Sequence, residues 1–242
     1  MSLKSRRERF KALKFGKVRR YAWYAVGEVI LIFAGITLAI SFSNWNEERQ
    51  LIRLESKALA DIAANLGANV DHINANIYED NIRIAACERF LGALSQKKAW
   101  QDSLAEDLYQ CRWWTSPFLS SAAYESLKSR GTELIADPEL RYAIVNLYEQ
   151  TYSHLVEDVD KAFWNFQTAV MEPVFNRHVR KVEPDRFIPN DFDKLLESDE
   201  FNNMLNMKLD YQKGSVQNLR ETLEATEEVM KIIEIRLDNQ VR

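Results

Sequence analysis

Between Ala22 and Ser43 the chain carries a single formally charged side chain, Glu28, in an otherwise apolar run. As a helix rising 1.5 Å per residue, that run is roughly 33 Å long, enough to cross the hydrocarbon core of a bilayer. Aromatic residues bracket it, Tyr21, Trp23 and Tyr24 at one end and Phe42 and Trp45 at the other. These suit the two membrane–water interfaces. Ala39-Ile40-Ser41 loosely resembles a leader cleavage site, but the apolar run of about 22 residues exceeds the ~7–15 of a leader's core. Residues 21–46 therefore read as a retained transmembrane helix, the one segment of the chain apolar enough for that role.

Charge sets the orientation. Residues 1–20 hold nine Lys or Arg and one acid, Glu8, a net +8, whereas the remaining residues carry −12. Basic residues next to a span stay in the cytoplasm, so residues 47–242 are expected outside, which in a bacterium places them in the periplasm on the inner membrane. The basic arm also suits anionic lipid headgroups. A nucleic-acid tail would show the same charge, but no motif accompanies it here, and no nucleic-acid partner is expected.

Residues 47–242 read as an all-α domain, an antiparallel helical bundle continuing from the membrane helix. Apolar residues recur at Leu51, Leu54, Ala58, Ile62, Leu66, Val70, Ile73 and Ile77, in steps of three or four. They predict a helix to about Leu94, with Gly67 as a weak point. Ser103 and Glu106 form a capping box for a short helix ending near Cys111-Arg112-Trp113-Trp114. Residues 121–130 make another, stopped by Gly131. Asp137-Pro138-Glu139 is a strong helix start. That helix should carry Tyr142, Ile144, Leu147, Tyr148, Leu155, Val159, Phe163 and Phe166 until Pro173 ends or kinks it. Residues 173–197 read as loop with one helical piece after Asn190-Asp191.

The last helix, about 199–239, repeats Leu205, Leu209, Gln212, Val216, Leu219, Leu223, Thr226, Met230, Ile233 and Leu237 in a coiled-coil-like seam with two polar positions. It packs against the first helix or drives self-association.

Chemistry-bearing motifs are sparse. There is no phosphate loop, zinc-protease helix or nucleophile elbow. His72, His154 and His178 are far apart in sequence, and the acidic pairs Glu47-Glu48, Glu79-Asp80 and Glu157-Asp158 read as solvated helix faces. Cys87 and Cys111 fall on separate predicted helices, where an interhelical disulfide and two buried thiols are both open. Two Cys without a nearby His match no zinc site. No enzymatic activity, cofactor or metal is expected. Trp113-Trp114 is either core or an exposed partner surface.

Helical placement puts Tyr24, Glu28, Gly35 and Ala39 on one side of the span, flanked by Gly27, with Val29, Ile30, Phe33 and Ile36 opposite. Small residues permit close helix approach, and an acid in lipid seeks protein or water. The Gly27/Glu28/Gly35/Ala39 face is expected to meet a second copy or the helix of a larger membrane complex. Snorkelling of Glu28 to the cytoplasmic interface and an ion pathway are the competing readings.

Tyr24, Gly27-Glu28, Leu31, Gly35-Ile36, Ala39 and Asn44-Trp45-Asn46-Glu47 together resemble a family of small bacterial single-pass membrane proteins classed only as a domain of unknown function. Ala123-Tyr124-Glu125-Ser126-Leu127-Lys128-Ser129, Gly131, Leu134-Ile135, Asp137 and Glu139-Leu140-Arg141 resemble that family's mid-domain pattern. Ser41-Phe42-Ser43 departs from it, since relatives tend to have longer polar residues there. The resemblance implies topology and a helical fold, and no activity. The function expected is a membrane-anchored interaction or scaffold subunit. Alternatives are an ion-translocating oligomer with a ring of Glu28, or a periplasmic ligand sensor working through a partner.

Overall fold

A computed structural model describes residues 3–241, with side-chain surroundings described for 23–239. Tyr21 and the side chains of the basic arm lie outside the described ones. The chain is 84% helical and divides into two compact units, Met1–Leu54 and Glu55–Arg242.

The first unit belongs to helix α1 (Leu3–Ser95). Among the described residues one helix is long and apolar enough to cross a membrane, and it lies here. From Trp23 to Leu54 every residue is exposed except half-buried Gly27. The Thr37 hydroxyl donates to the Phe33 carbonyl one turn back, at 2.8 Å, so it needs no partner from outside the helix. Phe42 and Trp45 touch at 5.8 Å between ring centroids, and the Arg49 guanidinium lies 4.7 Å over the Trp45 ring.

The second unit is built on three long rods. One is residues 55–95 of α1. The next is a composite helix: α4 (Pro138–Asn146), α5 (Lys161–Phe166) and α6 (Glu172–His178), joined by wide π turns at Leu147–Tyr152, His154–Asp160 and Gln167–Met171. The third is α8 (Asp199–Val241). Cross-contacts fix their directions. Glu55 meets Arg236 and Asp80 meets Gln212, so α1 and α8 are antiparallel. Tyr152 meets Thr226 and Phe166 meets Tyr211, so the composite helix also opposes α8. Asn65 and Asn69 bond Tyr148 and Tyr152, so the composite helix runs parallel to α1.

Two parallel rods require a return path along the bundle. Helix α2 (Ser103–Arg112), the extended strap 113–121 and α3 (Ala122–Arg130) supply it. Gly131 closes α3 at φ 99°, a backbone conformation suited to glycine. Asp137 then caps α4, its carboxylate accepting from the Glu139 and Leu140 amides.

The buried stripe of α1 is a heptad ladder: Leu59, Leu66, Ile73, Asp80, Cys87 and Leu94. It begins at Glu55, and the Leu51 and Leu54 expected in it are exposed. The seam of α8 is buried or half-buried at all ten expected positions, and it packs inside this bundle. The core has one centre around Phe90, Phe163, Phe175 and Phe201 and another around Leu66, Ile144, Tyr148 and Ile233. Ile73, Leu155 and Leu219 make a smaller cluster.

Several local expectations are corrected. Helix α2 starts at Ser103, but no side chain caps it, and Asp102 pairs with Arg186 instead. Pro173 does not end the helix. It falls in the first turn of α6, where a missing N–H costs little, directly after the Gln167–Met171 π turn. Residues 179–189, expected as loop, form an antiparallel hairpin, β1 (Val179–Glu183) and β2 (Arg186–Pro189), with Arg180 opposite Ile188. The Pro184-Asp185 pair between them is the turn signal that marks it. Helix α7 (Phe192–Leu196) is the helical piece expected after Asn190-Asp191, and the Asp191 carboxylate caps it by accepting from the Lys194 amide. Tyr142, placed on the apolar face, is 72% exposed.

Candidate functional site

The Glu79-Asp80 pair, expected as a solvated face, splits. Glu79 stays outside, whereas Asp80 is fully buried on the heptad ladder. Such burial demands donors. Asp80 Oδ1 accepts from the Thr115 amide at 3.2 Å, the Thr115 hydroxyl at 2.7 Å, Gln212 Nε2 at 2.7 Å and Arg83 Nη1 at 3.0 Å. Asp80 Oδ2 and Gln212 Oε1 are buried without a protein donor. Burial pushes the Asp80 carboxyl above its ordinary range, against the pull of Thr115 and Arg83.

Two further levels of α1 repeat the device. Asn69 Oδ1 accepts from the Ser120 amide at 2.8 Å, and its Nδ2 donates to the Ser120 carbonyl at 3.0 Å and to Tyr152 Oη. Glu55 Oε1 accepts from the Ala136 amide at 3.0 Å. Glu55, Asn69 and Asp80 thus each hold a backbone N–H of the returning chain. Each level is joined to α8: directly by Arg236 and Gln212, and through Tyr152 by Thr226, which bonds the Tyr152 hydroxyl at 3.1 Å. Both polar positions of the α8 seam are accounted for in this way.

Beside the Asp80 level lies Lys208, also fully buried. Its Nζ donates to the Trp113 carbonyl at 2.8 Å and sits 4.3 Å from the centre of the Phe163 ring. Loss of water lowers its pKa to about 7, although nearby Asp80, Cys87 and Cys111 pull the other way. Cys87 and Cys111 are buried in the same core cluster, both as free thiols. Burial pushes the Cys111 thiol well up. The amine and both thiols are closed to solvent in the folded chain.

Outside this cluster a groove of about 560 Å³ is lined by Glu79, Ile82, Arg83, Tyr109, Trp113 and Trp114. The tandem tryptophans divide their roles. Trp113 is 41% exposed on the groove, and Trp114 packs against Phe163 and Trp164. Among the described residues no three His, Cys, Asp or Glu side chains come together as a metal site. His72 and His154 are exposed, and His178 is half-buried near Glu200 and Ser198.

The expected membrane-face residues belong to the first unit. Glu28, Gly35 and Ala39 are exposed there, and a Cβ built on Gly27 or Gly35 would meet nothing within 4 Å beyond the adjacent backbone of its own helix. Trp23, Tyr24 and Trp45 are exposed as well. Sequence reading missed Asp80, Lys208, Asn69 and Glu55. The available signal was their heptad position: Asn69 stands seven residues beyond Ile62, and Asp80 seven beyond Ile73. Comparison with protein-family models, with curated proteins and with solved structures finds no match.

Proposed function

We propose that the chain is a single-pass membrane subunit whose helical domain is held on the periplasmic side of a bacterial inner membrane. It acts as an interaction or scaffold component. The span associates with a second copy or with a helix of a larger membrane complex through the Gly27/Glu28/Gly35/Ala39 face.

One observation carries this reading: from Trp23 to Trp45 an apolar helix bearing an acid is exposed all round apart from half-buried Gly27. Lipid satisfies Val29, Ile30 and Phe33 but not Glu28, and the absence of bulk at Gly35 lets a partner backbone approach. Asp80 and Lys208 bond the Thr115 amide and the Trp113 carbonyl of the returning chain, a holding role that suits a scaffold.

The test is cross-linking and native mass measurement of the full chain in mild detergent, for the natural sequence and for Gly35→Leu and Glu28→Leu. The expected result is a discrete assembly that both variants weaken at least tenfold. A strict monomer with no co-purifying protein would overturn the reading. Ion conductance in liposomes that vanishes in Glu28→Gln would redirect it to a translocating oligomer.

A further inference from the structure

We propose that Cys87 and Cys111 are a disulfide-forming site that closes as the chain folds under oxidising conditions and is then sealed in the core. The cysteines are 24 residues apart, one on α1 and one in the last turn of α2. Folding nevertheless buries both thiols in one cluster with Phe90, Leu108 and Phe201, where Arg89 of α1 pairs with Asp107 of α2 within about a turn of them, and no other cysteine in the chain competes. A bond there ties α2 to α1 two residues before Trp113, whose carbonyl holds Lys208 and whose ring lines the groove. The oxidised site would therefore fix both the start of the strap and one wall of that groove.

The chemistry is thiol–disulfide exchange, with a small or protein-borne disulfide as oxidant. One cysteine thiolate attacks a sulfur of the oxidant, forming a mixed disulfide and expelling one thiolate. The second cysteine attacks the protein-side sulfur of that bond, forming Cys87–Cys111 and expelling the second thiolate. Two electrons pass from the cysteine pair to the oxidant, and the two protons lost by the cysteines end on the two leaving thiols.

Timing follows from burial. In the folded chain both sulfurs are closed to solvent, and burial keeps the Cys111 thiol protonated. Exchange therefore runs before α2 docks and all but stops afterwards. Closure of the site depends on the fold and on an oxidant, whichever side of a membrane the domain occupies.

The test refolds the full chain from denaturant into mild detergent with a mixture of reduced and oxidised glutathione, in parallel with reductant alone. Expected are a 2 Da mass loss, a peptide linking Cys87 to Cys111, and a melting temperature about 5–10 °C above the reduced form. Chain already folded in its reduced form should react with the same mixture about 100-fold more slowly. Thiols that remain free after oxidative refolding would overturn the proposal, as would a bond formed only between two copies. Equally fast oxidation of the folded chain would overturn the sealed-site claim.

Discussion

Lys208 is the most exacting test of the buried cluster. A lysine whose folded pKa is about 7 against an ordinary 10.5 resists protonation in the folded chain but not in the unfolded one. The stability it allows is thus complete above pH 10.5 and is lost as the pH falls through about 7. Integrating between those values, the ammonium costs about 4 kcal/mol at pH 7 and about 2 kcal/mol at pH 9. The natural chain should therefore gain about 2 kcal/mol of unfolding free energy between pH 7 and pH 9. Above that range the buried tyrosines intervene, since burial raises Tyr148 and Tyr152 and holds Tyr124 at about 12, which penalises ionisation as pH climbs past 10.

Lys208→Met keeps the stem and removes the amine. It forfeits the bond to the Trp113 carbonyl and the Phe163 contact, together worth about 2 kcal/mol. The net expectation is a variant about 2 kcal/mol more stable than the natural chain at pH 7, with most of the pH 7–9 slope gone. Urea unfolding of the full chain in mild detergent, followed by far-ultraviolet circular dichroism at pH 7, 8 and 9, measures both. A natural chain with no slope, together with a variant destabilised by more than about 1 kcal/mol, would refute the argument.

Two other perturbations bear on the returning chain. Asn69→Ala strips partners from the Ser120 amide and carbonyl and from Tyr152 at once, so a loss of about 3 kcal/mol is expected in the same urea experiment. A loss under 1 kcal/mol would mean that the strap is held by other contacts. Gly131→Ala forces a side chain onto a φ of 99° and to 3.0 Å from Glu133 Oε2, so a loss of about 1–2 kcal/mol is expected, read as a drop of several degrees in melting temperature.

The helices were legible in the sequence wherever a cap or a period defined them. Asp137-Pro138 opens α4, Gly131 closes α3, and the α8 seam is buried or half-buried at every expected position. Misreadings arose where a side chain served tertiary rather than local structure. Asp80 is acidic and follows Glu79, so local logic puts it in water, but its heptad position makes it the acceptor for Thr115 and Gln212. Lys208, a charged residue beside the α8 seam, is buried through the Trp113 carbonyl, which no local pattern announces. The π turns leave no compositional mark, because they shift register within a helix and need no special residue. The hairpin strands are too short for alternation to stand out. The cluster as a whole joins residues from α1, the strap and α8, and a linear reading has no means of superposing them.

The rungs at Glu55, Asn69 and Asp80 also govern how the bundle can move. A coiled-coil seam of leucines alone tolerates slippage, because a one-turn slide of about 5.4 Å trades one apolar contact for another. Here a slide of α8 past the rest of the bundle would part Glu55 from Arg236, Asp80 from Gln212 and Tyr152 from Thr226 together, each bond lost costing about 1 kcal/mol. Axial sliding of α1 against α8 is therefore blocked like a ratchet with its pawl down, leaving twist and bend as the cheaper motions. Motion within the domain is therefore expected as rotation or tilt of its rods rather than as a piston stroke.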